Sequence, residues 1–156
     1  KRRDKTEAKI EIFLNLGFFS LLVAVWTLVQ CGFVQFLIPD GRTLYFVDYF
    51  SLFLFPVPFN FLLYDICKSR YHKVALVFSS LYLANMAVDV LLQCTGIIDM
   101  SRLLSVTHVI MVANAVYTVA IILYEARNKE NDVAKKFQYP MYVVMGFGMA
   151  EMFLYY

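Results

Sequence analysis

Long uninterrupted apolar stretches constrain this chain more than any other feature. Residues 13–39 contain no charged side chain, and comparable stretches recur up to the last residue. A segment of about 20 apolar residues is long enough to cross a bilayer as a helix. Backbone groups in lipid must be satisfied internally, so the choices are α-helices or a closed β-barrel. A barrel needs short segments alternating in and out, and that period-two pattern is absent. The expected fold class is therefore all-α, a polytopic transmembrane helical bundle. Composition agrees: 61% of residues are hydrophobic and 17% charged, against about 45–50% apolar in soluble domains.

The spans predicted from the apolar runs cover residues 8–30, 44–66, 74–93, 102–124 and 137–156, making one transmembrane domain. The turn Pro39-Asp40-Gly41 divides the first loop, and Thr95-Gly96 closes the third span. Lysine and arginine fix a direction. Lys1, Arg2, Arg3, Lys5 and Lys9 precede the first span, Lys68, Arg70 and Lys73 follow the second, and Arg127, Lys129, Lys135 and Lys136 follow the fourth. The intervening gaps hold only Arg42 and Arg102. Short cytoplasmic loops accumulate such residues, so loops 1–9, 67–73 and 125–136 are expected inside. With a net charge of +2 and acidic neighbours such as Asp4, Glu7 and Glu130, the basic groups read as lipid-headgroup contacts. No nucleic-acid partner is expected. The chain starts at Lys1 and stops at Tyr156 inside an apolar run, so it reads as part of a longer protein.

Charged and polar groups inside the spans are the candidates for function, because a carboxylate near mid-membrane costs roughly 2.5–3.5 kcal/mol on insertion scales. Tyr82, Asn85, Asp89 and Gln93 recur at steps of three, four and four, one face of a helix. At 1.5 Å per residue, Asp89 lies about 20–23 Å from the inner end, and Asp48, His108 and Glu151 fall with it about 6–10 Å below the outer surface. One reading is an outward-facing pocket for a small polar or cationic ligand, lined by Asp48, Asp89, His108 and Glu151 and supported by Asn85 and Gln93. The other is that these groups only hydrogen-bond between helices. Pro56 and Pro58, followed by Asn60, remove backbone donors mid-span and make either a hinge or a static kink.

Thr107, Asn114 and Thr118 of the fourth span, with Gly146 and Gly148 of the fifth, read as close-packing residues. Cys31, Cys67 and Cys94 match no zinc or redox spacing; only Cys31 and Cys94 share a side, and a disulfide between them is disfavoured. No GxSxG, HExxH, phosphate loop or metal-ligand cluster occurs, so no catalytic residue, metal or cofactor is expected.

Two segments carry a family resemblance: the run Tyr45-Phe46-Val47-Asp48-Tyr49-Phe50-Ser51-Leu52-Phe53-Leu54-Phe55-Pro56-Val57-Pro58, and the turn Gly96-Ile97-Ile98-Asp99 followed by Thr107-His108. With the basic inner loops, they resemble the membrane-embedded N-terminal region of clostridial-type bacterial signalling proteins that end in a cytoplasmic GGDEF (diguanylate cyclase) domain. The resemblance implies a sensor of about seven helices in the bacterial cytoplasmic membrane, signalling to a C-terminal cyclase that makes cyclic di-GMP. It also implies a homodimer through the full-length protein. No GG[DE]EF sequence is present, so cyclase chemistry does not reside in these residues. A transporter or channel subunit using the acidic groups as a cation or proton relay is the alternative; the lack of an internal repeat counts against it. A structural anchor is the third.

Overall fold

A computed structural model describes residues 5–67, 72–128 and 131–155. Among them the chain forms seven helices and no strand: α1 (Lys5–Gln30), α2 (Val34–Leu37), α3 (Gly41–Leu54), α4 (Pro56–Ile66), α5 (Lys73–Cys94), α6 (Met100–Asn128) and α7 (Asp132–Tyr155). The all-α bundle expected from hydropathy is the fold. Four helical segments are long and apolar enough to cross a membrane: Ile10–Gln30, Gly41–Ile66, Lys73–Cys94 and Met100–Arg127. The chain is accordingly a multi-pass membrane protein. The fifth expected span is helical as α7, whose first turns carry Asp132, Lys135 and Lys136 and whose interior carries Pro140.

The helices outrun the apolar stretches that announced them. α6 continues past Tyr124 to Asn128, and α7 begins at Asp132, not near residue 137. Hydropathy marks the part of a helix that lipid tolerates, whereas helical hydrogen bonding continues into polar residues wherever the end is capped. Asn131 supplies that cap: its Oδ1 accepts from the amides of Val133 (3.2 Å) and Ala134 (3.3 Å). The expected loop 31–44 also contains α2, a single turn. Asp40 then caps α3, accepting from the Arg42 amide (3.1 Å) and the Thr43 hydroxyl (2.6 Å).

The second span breaks where its prolines stand. Phe55 separates α3 from α4, and its amide still donates to Ser51 O at 3.0 Å. Pro56 opens α4 at a first-turn position, where its missing N–H costs least. At the far end of α5, Gly96 adopts φ 69°. Its amide donates to Gln93 O and that of Ile97 to Leu92 O, both at 3.1 Å. This is the Schellman closure, which needs a left-handed residue.

α4 packs against α1 and α5, α5 against α6, and α6 against α7, while α3 leans on α1 and α5. Two apolar clusters result. The larger, at the basic end of the bundle where α4, α6 and the start of α5 and α7 meet, is built on Phe59, Leu62, Leu63 and Ile66 with Ile121 and Ile122. The smaller, at the opposite end, joins Tyr49 and Phe53 of α3 to Met100 and Leu104 of α6. Side chains such as Phe13, Phe18, Val109, Val116 and Phe147 stay exposed on the outside, as expected where the surrounding solvent is hydrocarbon.

Candidate functional site

The polar stripe of α5 faces α6. Tyr82 and Asp89 are each 1% exposed, and the stripe's partners on α6 are equally buried. Asn85 Nδ2 donates both to Asp89 Oδ2 and to Thr107 Oγ1, at 2.9 Å each. Asp89 thus has an amide for a partner, and that amide ties it across to α6. One turn toward the Gly96 end, Gln93 Oε1 accepts the Met100 amide at 2.8 Å. Gln93 therefore caps α6, satisfying one of the amides every helix start leaves free. Toward the middle, Asn114 hydrogen-bonds the Tyr82 hydroxyl, and the Phe78 and Tyr117 rings lie 5.5 Å apart. His108 is buried beside Thr107 on the same turn of α6.

Asp48 belongs elsewhere. Gln30 Nε2 of α1 donates to both of its carboxylate oxygens, at 2.9 and 3.1 Å. The two side chains form a wall of a cavity of about 390 Å³ between α1, α2 and α3, completed by Gln35, Pro39 and Tyr45 among others. Neither Asp89 nor His108 lines it. Of the residues expected at one depth, Asp48 thus stands at the α1–α3 cavity and Asp89 in the α5–α6 seam, where the supporting Asn85 and Gln93 also lie. The side chain of Glu151 lies outside the described residues. Pro56 opens α4 directly after the α3–α4 break, and Pro58 lies two residues further into that helix.

Two constellations escaped the sequence reading. The first is at the basic end, where Glu125 is fully buried and Asn131 is 1% exposed. Asn131 Nδ2 donates to Glu125 Oε2 at 3.0 Å and to the Ile66 carbonyl at 2.9 Å. One amide side chain so joins α4, α6 and the start of α7. Cys67, buried beside them, has its thiol pushed up to about 12 by burial and then by the Glu125 carboxylate. The stripe Thr107, Asn114, Thr118 reaches Glu125 after one further heptad step. The signal was present but ended with the expected span at Tyr124.

The second lies at mid-bundle. Both amide atoms of Asn60, Oδ1 of Asn114 and Oγ1 of Thr118 are buried without a hydrogen-bond partner. Asn60 and Thr118 are fully buried and Asn114 is 4% exposed. Asn114 and Thr118, expected only to pack helices closely, and Asn60, which follows the prolines, therefore carry unmet hydrogen-bonding capacity, which is costly away from water.

Among the described residues no group of three His, Cys, Asp or Glu side chains is placed to hold a metal ion. Cys31 and Cys94 are free and exposed, and Cys67 is free and buried, so none is spent on a disulfide. The arrangement offers binding and helix coupling: a half-open polar cavity on one side, and a seam of amides, hydroxyls and one buried carboxylate on the other. No family model, no curated protein and no solved structure matches this chain.

Proposed function

We propose that this chain is the membrane-embedded sensory input module of a bacterial signal-transduction protein. The observation that carries the reading is the cavity of about 390 Å³ at Asp48 and Gln30, within the range of small-molecule sites. Its carboxylate suits a small polar or cationic ligand arriving from the outer side. The cavity is built on α3, which runs directly into the Pro56 break and also packs against α5. A ligand that favours one packing of α3 thereby biases α4 and the α5–α6 seam, a shift between populations of helix arrangements. The basic end is then cytoplasmic, in the bacterial inner membrane. The resemblance carried by residues 45–58 and 96–99 makes a GGDEF cyclase the output of this proposal, working as a dimer.

The test uses the full-length protein in its own membrane, with cyclic di-GMP as the readout. Asp48→Asn is expected to abolish the response to external amines, and Asp89→Asn and His108→Ala to shift the basal level. Unchanged output in all three variants, at normal membrane abundance, sinks the reading. Cation flux through proteoliposomes of the same protein would instead indicate the transporter class.

A further inference from the structure

The geometry points to a second binding site, for a small lipid-soluble alcohol or phenol, in a cavity of about 60 Å³ at mid-bundle whose one unmet polar atom among the described residues is Asn114 Oδ1. Its walls come from five helices. Phe19 of α1, Phe55 and Pro56 at the α3–α4 break, Tyr82 of α5, Met111 of α6 and Met149 of α7 all line it. Met145 and Met152 line it too, so four of the chain's seven methionines face this space. Methionine is unbranched and polarizable, and it adapts to apolar occupants and to aromatic rings.

Size and polarity select the occupant. A water needs about 10–15 Å³ of such volume, so about 60 Å³ holds four or five waters. A benzene ring takes a cavity of about 150 Å³, so a phenol seats its hydroxyl end here and its ring extends to the open side at Val144 and Gly148. The lining is otherwise apolar, which makes a water cluster a poor tenant. Asn114 is 4% exposed, its amide nitrogen side serves the Tyr82 hydroxyl, and its oxygen has no partner. An occupant with one donor and an apolar body satisfies that oxygen; an acyl chain does not, and an ion finds no counter-charge among the described residues of the lining. Val144 and Gly148 line the cavity while staying exposed on α7. That gives it a route to the bilayer without passage through water. The site is distinct from the Asp48 cavity, and its occupancy does not depend on any signalling role.

The experiment is a fluorine NMR titration of the chain in lipid nanodiscs, with para-fluorophenol and fluorobenzene as the two probes. Para-fluorophenol is expected to give a saturable bound signal, with fluorobenzene about three- to tenfold weaker for want of the hydrogen bond. Gly148→Leu should reduce phenol binding at least tenfold. A Cβ at Gly148 meets no atom within 4 Å, so the side chain enters open space and the helix should persist, as circular dichroism will show. If that variant nonetheless fails to fold, Ala115→Leu plugs the cavity from α6. Asn114→Leu should erase the difference between the probes. Non-saturable partition alone, binding unaffected by the plug, or equal affinity for both probes would each overturn the assignment.

Discussion

Asn131 does the work of three residues. Its oxygen caps α7 and its amide nitrogen reaches both the Ile66 carbonyl and Glu125. Asn131→Leu removes all of these and leaves a buried carboxylate short of a donor, so it should cost about 2–4 kcal/mol in a detergent unfolding titration. Asn131→Asp keeps the capping oxygen but sets a second carboxylate against Glu125. It should likewise destabilise the bundle in the same detergent titration. At the other end, Gly96→Ala meets no steric neighbour. It forces an L-residue to φ 69°, an expected loss of about 1–2 kcal/mol. Asp40 contributes a pH dependence. The Thr43 hydroxyl first, then the Arg42 amide, hold its carboxyl below the ordinary 3.8. Its contribution is therefore complete above that value and lost as pH falls through the lower folded one.

At the scale of elements, the stripe Tyr82, Asn85, Asp89, Gln93 shows how far sequence periodicity carries. Steps of three and four predicted a shared face, and that face is the α5–α6 seam. What periodicity could not supply was the partner: depth aligned Asp48 and His108 with Asp89, but only packing decides which helix each one meets. Asp48 turned to Gln30 on α1, and Asn85 reached Thr107 on α6. A Pro pair was equally legible as an interruption, whereas its consequence, a cavity between Phe55, Pro56 and α6, depends on the three-dimensional path. The seam also yields a quantitative expectation. A double-mutant cycle of Asn85→Ala with Thr107→Val should return a coupling of about 0.6–1.7 kcal/mol, from the average to the maximum measured for hydrogen bonds between membrane helices. A coupling near zero would mean that Asn85 serves Asp89 alone.

For the whole molecule, the ends of α4 and α6 and the starts of α5 and α7 pack together; the alternation of basic and neutral connections assigns that end to the inner side of the membrane, which labelling decides. Cys31 follows α1 and Cys94 ends α5, so both stand at the end opposite Lys73 and Arg127, and both are exposed. Cys67 stands at the basic end, buried, with its thiol pushed up to about 12. A protonated, enclosed thiol is a poor nucleophile, so the three cysteines form a built-in test of sidedness. If the basic end is cytoplasmic, a membrane-impermeant maleimide added to intact cells modifies Cys31 and Cys94, and removing both by Cys→Ser abolishes labelling. Cys67 reacts only once the membrane is opened and the bundle unfolded. In the inverted orientation neither Cys31 nor Cys94 reacts until the cells are permeabilised, and the Asp48 cavity then faces the cytoplasm. The external-ligand reading would fall with that result, while the mid-bundle cavity, reached through lipid, would be untouched by it.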